Sequence, residues 1–368
     1  MSSSPCFGIS AARTLTLFFF AVFLLVSPLA AQTPSPALLV LEKGDNMLAI
    51  VDPATLKMVG RVPAGPDPHE IEASSDGKFA YISNYGGSDS SLHTISVVDL
   101  VAQKALPPID LGALHSSHGL AFAGGKLYFT AETNKVVGRY DPATQAIDWL
   151  IGTGQDRTHM VVVSSKLDLV FTSNVSSATI SIIEQMDAPA PNFGPPPGAP
   201  AGAAPPPGPP PGGPRKTWHI TNVPAGRGSE GFDLSPDGKA IWVANAQNGT
   251  VTIIDVSAKK ALQTFPISVH GNRLKFTLDG QRVLVSGSSS GSPKANLVIL
   301  DVATHKEVKS FDFGGGSAGI QMVPDGSSAY VDVSSKDNVV AMDLKKLETK
   351  GELATGKGPD GLAWAQRK

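Results

Sequence analysis

The chain has one cysteine in 368 residues, Cys6, and it lies ahead of the only long apolar run. Everything downstream is therefore without a disulfide or a thiolate metal site, and packing alone must stabilise it. Basic runs are also missing. The formal net charge is −2, and binding to nucleic-acid phosphates needs clustered Lys and Arg, so that class of partner is excluded. Long apolar segments are absent apart from one 12-residue run, Leu15 to Val26, which falls short of the roughly 20 residues that cross a bilayer. No Cys-x-x-Cys-His haem site, His-Glu-x-x-His zinc helix or Asp-x-Asp-x-Asn-Gly calcium loop occurs.

The apolar run has the marks of a leader. Arg13 precedes it, and Ser27-Pro-Leu-Ala-Ala31 follows it before Gln32. Residues 1–31 read as a cleaved signal peptide, which implies a periplasmic or secreted protein with no membrane span after cleavage. The predicted mature chain, 32–368, carries a formal charge of −3 once Arg13 is removed.

What the sequence does have is repetition. A sixteen-residue unit occurs six times, clearest in His69 to Asn84 (HEIEASSDGKFAYISN), His159 to Asn174 and Glu230 to Asn245. His118 to Glu132 fits after one deletion in its turn, with Glu132 then standing where other units have asparagine. A seventh unit is split between Asp360 to Lys368 and Leu38 to Gly44. Each unit reads as strand, Asp-Gly turn, strand, followed by a third strand ending in Asp and then a fourth. Four antiparallel strands make a propeller blade, and a unit completed by both ends of the chain makes a closed ring. The expectation is an all-β, seven-bladed β-propeller closed by pairing of its N- and C-terminal strands. Equivalent residues Ile71, Leu120, Val161, Phe232, Leu274, Ile320 and Leu362 are spaced by 49, 41, 71, 42, 46 and 42. The long interval contains 188–214, 27 residues with 13 prolines, whose removal leaves 44. It reads as a Pro/Gly-rich loop inserted within the fourth blade, extended or disordered. The aspartates ending the third strands, from Asp52 to Asp343, read as turn formers with no chemistry.

Tyr81-Ile-Ser-Asn84, Phe171-Thr-Ser-Asn174 and Trp242-Val-Ala-Asn245 resemble the YVTN-type repeats of bacterial and archaeal extracytoplasmic propellers. The resemblance covers nearly all of the mature chain and departs at Ser286-Gly287, Asp332-Val333 and Ala131-Glu132. It implies a seven-bladed propeller of a superfamily that includes lactonase-like enzymes. Clusters matching Ser117-His118-Gly119, Thr130-Ala131-Glu132 and Glu230-Gly231 recur around one funnel in such proteins, which implies a shared pocket.

The first position of the unit is His69, His118, His159, Glu230, Asn272, Ala318 and Asp360 going round the ring. Blade geometry puts this position at the mouth of the central channel. Three imidazoles and a carboxylate, His69, His118, His159 and Glu230, are a candidate first shell for zinc or another divalent metal. Glu132 and Glu230 are candidate general bases for a metal-dependent lactonase-like hydrolase or lyase. Glu70, His115, His270, Arg273 and Asp360 are further candidates for ligand contact, Arg273 also for a structural ion pair with Asp233. Polar lining of a wet channel accounts for the same residue types without any ligand. The leading expectation is an exported, non-catalytic binding or scaffold propeller that meets a small molecule or a protein partner at this face.

Overall fold

A computed structural model describes residues 1–5, 8, 32–87, 90–188, 198, 216–289 and 294–368. Gln32–Lys368 forms one compact unit. The leader and the Pro-rich insertion, expected over 1–31 and 188–214, lie almost wholly outside the described residues. Among the described residues no helix is long and apolar enough to cross a membrane.

Twenty-eight described strands form seven four-stranded antiparallel sheets arranged as a seven-bladed propeller. The strands that position the site are the inner pairs: β4 (Pro68–Ala73) and β5 (Phe79–Asn84), β8 (Ser117–Ala123) and β9 (Lys126–Ala131), β12 (Thr158–Val163) and β13 (Leu169–Asn174), β16 (Ser229–Leu234) and β17 (Ala240–Asn245), and β20 (Val269–Phe276) and β21 (Arg282–Ser289). The ring closes as expected. The innermost strand of the first blade is β28 (Pro359–Ala365), which pairs with β1 (Ala37–Glu42) through Leu38↔Trp364, Leu39↔Ala363 and Val40↔Leu362.

Packing follows the alternation. Second strands are the most apolar: Phe129, Phe171, Ile82, Ile241 and Val243 are fully enclosed between neighbouring blades. Trp242 packs on Phe265 and Phe276, and Trp149 on Trp218 at 4.9 Å between ring centres. The turns behave as their residues dictate. In Ser74-Ser-Asp-Gly77 the Asp76 Oδ1 accepts the Ser74 hydroxyl and the Lys78 N–H, and Gly77 takes φ +69°. The third-strand aspartates do the same, with Asp52 Oδ1 accepting from Ala54 N–H and Asp301 Oδ1 from Thr304.

Register corrects one expectation. Pro68 pairs with Asn84, Thr158 with Asn174 and Ser229 with Asn245, but Ser117 pairs with Ala131. The inner hairpin of the third blade is therefore two residues shorter than the others, not one. Ala131 takes the place of the asparagines and Glu132 lies one step beyond, equivalent to Tyr85. The hydrogen bonds agree: Glu132 N–H donates to Ser116 O as Tyr85 N–H does to Asp67 O and Val175 N–H to Arg157 O. Because side chains alternate between faces, a one-residue slip sends a side chain to the opposite side. The asparagines point inward and are saturated: Asn174 Nδ2 donates to Thr179 and Ser181 hydroxyls, and its Oδ1 accepts from Thr158. Glu132 instead turns to the channel mouth.

Candidate functional site at the channel mouth

The inner strands carry a register shift where the first-position residues sit. It falls between Pro68 and Ile71, Ser117 and Leu120, Thr158 and Val161, and Ser229 and Phe232. The shifts thus bracket His69, His118, His159 and Glu230. An extra residue in one strand re-aims side chains and frees a backbone N–H. Here the freed group is caught by a hydroxyl of the second strand: Glu70 N–H by Ser83, Gly119 N–H by Thr130 and Met160 N–H by Ser173. Gly119 is needed for a second reason, since a Cβ there would lie 2.4 Å from His159 O on the next blade.

Three imidazoles meet at the mouth. The ring centres of His69 and His118 are 4.4 Å apart at 56°, and those of His118 and His159 are 3.5 Å apart at 28°. Tyr85 closes the group with its ring 4.7 Å from His118 and 5.2 Å from His69. His118 is 0% exposed, and neither of its ring nitrogens has a hydrogen-bond partner. Burial lowers its pKa well below the usual histidine value, and the neighbouring His159 and His69 lower it further, so the ring is neutral.

His159 is shifted the opposite way. Its Nδ1 contacts Glu132 Oε1 and its Nε2 lies 3.4 Å from Glu230 Oε1. Burial lowers its pKa, but the two carboxylates outweigh burial and raise it, which favours imidazolium. Glu132 is held on its other side by the Tyr85 hydroxyl at 2.7 Å and by Arg157 at 3.6 Å. Burial raises the Glu132 carboxyl, and His159, Tyr85 and Arg157 together bring it below the usual range. Burial likewise raises Glu230, but His159, Arg273 and Arg157 overcome it and leave a value of about 2. Asn272 Nδ2 donates to Glu230 at 3.0 Å.

A second carboxylate pair lies beside these. His69 Nδ1 is 2.8 Å from Asp360 Oδ2, and Lys43 Nζ is 3.5 Å from the same oxygen. Arg273 reaches across the channel to Glu70 and lies 4.0 Å from Glu230. Its partner is thus Glu70 and not Asp233, which accepts instead from Phe276 N–H. Beneath the mouth, Glu70, Glu72, Asp233, Arg273, Lys275 and Gln321 line a cavity of about 230 Å³. Burial there pushes Glu72 up to about 7.

The mouth therefore gathers His69, Glu70, His118, Glu132, His159, Glu230, Arg273 and Asp360. His115 and His270 stand apart. The His115 ring packs on His93 at 5.8 Å, and His270 Nδ1 meets Ala246 O at 2.5 Å. Tyr85, Arg157 and Lys43 were not singled out from sequence. Tyr85 had a signal, because it immediately follows the Tyr-Ile-Ser-Asn run and is the true counterpart of Glu132.

No protein-family model and no curated protein sequence matches the chain. Solved structures do. Hydrazine synthase of Kuenenia stuttgartiensis is 17% identical over 80% of this chain and 89% of that one, with a TM-score of 0.61. A 6-phosphogluconolactonase candidate from Bacteroides fragilis is 14% identical over 91% and 99%, with a TM-score of 0.65. Dihydro-heme d1 dehydrogenase NirN is 14% identical over 89% and 74%, with a TM-score of 0.56. At these identities the likeness is one of fold, and it places the chain among seven-bladed β-propellers.

Proposed function

We propose that the chain is an exported β-propeller binding protein that holds a small ligand in the His/Glu-lined channel mouth. The observation that carries this reading is His118. A fully buried imidazole with both nitrogens unpartnered loses about 1–3 kcal/mol of solvation with nothing in the protein to offset it, and a bound ligand would supply the partner.

Glu132 and Glu230 are poorly suited to act as general bases. A general base works best with a pKa near the operating pH. Glu132 is tied to His159, Tyr85 and Arg157, and Glu230 is held at about 2. Lactonase and dehydrogenase names among proteins of similar fold put enzymes on this scaffold, but a fold does not fix a function. The lactonase-like hydrolase or lyase is accordingly the second reading. Export rests on the leader-like 1–31 segment.

Native mass spectrometry of protein purified without denaturant from a periplasmic fraction tests the reading. The expected result is a bound mass on the wild type that is missing from His118→Ala, and no hydrolysis of simple lactones. A wild type that carries no adduct, or a His118→Ala variant that keeps it, would count against the mouth as the binding site.

A further inference from the structure

We propose that His69, Glu70 and His118 form a site for one divalent first-row cation of the zinc or copper class, with His159 outside the coordination set. This deepens the binding reading above and rests on it. One ligand atom from each of the three residues lies within 4.8 Å of the others. Small rotamer adjustments bring such a trio around a metal at about 2.0–2.2 Å.

The surroundings assign each donor atom. Asp360 Oδ2 lies 2.8 Å from His69 Nδ1, within reach of a hydrogen bond once the ring turns but not aligned for one as it stands, which leaves Nε2 as the ligand. A carboxylate behind one ring nitrogen, with the other facing the metal, is how metal-bound histidines are usually oriented. Arg273 takes Oε1 of Glu70, leaving Oε2. His118 has both nitrogens uncommitted and fully buried.

His159 is excluded by geometry. An imidazole lone pair lies in the plane of its ring. The His118 and His159 rings are stacked at 3.5 Å and 28°, so their lone pairs run side by side and do not converge. His69 and His118 are tilted at 56° with centres 4.4 Å apart, an arrangement in which in-plane vectors can meet. His159 Nδ1 is moreover already engaged by Glu132, and its Nε2, without a hydrogen bond, lies 3.4 Å from Glu230. Two imidazoles and one carboxylate suit Zn²⁺ or Cu²⁺ and leave a position open for water or a ligand atom.

Chelator-treated full chain titrated with ZnCl₂ and with CuCl₂ by calorimetry, together with electron paramagnetic resonance of the copper form, tests the assignment. The expected outcome is one ion per chain and a superhyperfine pattern from two nitrogens. His118→Ala is expected to weaken binding by roughly 100-fold or more, and Asp360→Asn, which removes the support behind His69, by about 10- to 100-fold. His159→Gln is expected to weaken binding less than His118→Ala, since His159 packs on the His118 ring but supplies no donor atom. If His118→Ala does not fold, Glu70→Gln keeps the side-chain volume and is expected to weaken binding by more than about tenfold. A three-nitrogen pattern, or a loss in His159→Gln equal to that in His118→Ala, overturns the ligand set. A wild type that binds neither metal yet keeps its adduct in native mass spectrometry overturns the metal site and leaves the binding reading standing.

Discussion

Glu132, His159 and Glu230 form a buried charged cluster, so its contribution to stability depends on pH. The carboxylates have folded pKa values below the ordinary 4.5, and their contribution is full above 4.5 and lost as pH falls, for Glu230 toward about 2. His159 has a folded pKa above the ordinary 6.5, and its contribution is full below 6.5 and lost as pH rises through the folded value. The cluster therefore stabilises most between about pH 4.5 and 6.5. Replacing Glu132 by Gln leaves a buried imidazolium with one counter-charge fewer, at an expected cost of about 3–5 kcal/mol. Thermal melts across pH should show the gap between wild type and Glu132→Gln widest in that window and narrowing on the alkaline side. A gap that stays constant on the alkaline side would mean His159 is neutral in the folded protein.

At the scale of the element, the bulged inner strand and the hydroxyl that supports it act as one device. Thr130 accepts from Gly119 N–H at 2.9 Å and donates to His159 O at 2.7 Å, joining the second strand of one blade to the inner strand of the next. Thr130→Val keeps the shape and removes both bonds. Two buried backbone groups lose their partner, so the variant should unfold with about 2–4 kcal/mol less free energy, at roughly 1–3 per group before relaxation. Denaturant titration reads this directly, and a loss below about 0.5 kcal/mol would mean water replaces the hydroxyl. The sequence made the strands, turns and first-position ring legible because alternation and Asp-Gly are local signals. It hid the two-residue shortening of one hairpin, since Ala123-Gly-Gly-Lys126 aligns almost as well with one gap as with two. Only pairing across the sheet decides between them. That single step moved Glu132 out of the asparagine position and concealed Tyr85. The clamp on His159 was legible in part: His159 and Glu230 share the first position of the repeat, whereas the contact with Glu132 depends on the shortened hairpin.

Over the whole molecule, stability is cyclic. All six residues of β1 are buried, with Leu38, Leu39, Val40 and Leu41 at 0% exposure. Each such side chain contributes about 1.5–3 kcal/mol by burial, so together they approach the ~5–15 kcal/mol that separates folded from unfolded domains. Deleting Pro359–Lys368 removes their partner strand together with Asp360. Such a chain should lose cooperative melting and be cleaved rapidly by protease at 25 °C, as followed by circular dichroism and limited proteolysis. By contrast, β14 (Thr179–Asp187) and β15 (Lys216–Pro224) pair along their full length up to Asp187↔Lys216. Replacing the intervening Pro-rich residues by a short Gly-Ser linker should therefore shift the melting temperature by no more than about 2 °C, because longer connections cost only slowly with length. The pairing of β1 with β28 has one more consequence, for synthesis. β1 leaves the ribosome long before its partner exists, so the first blade keeps an open edge until the last strand of the ring has been made.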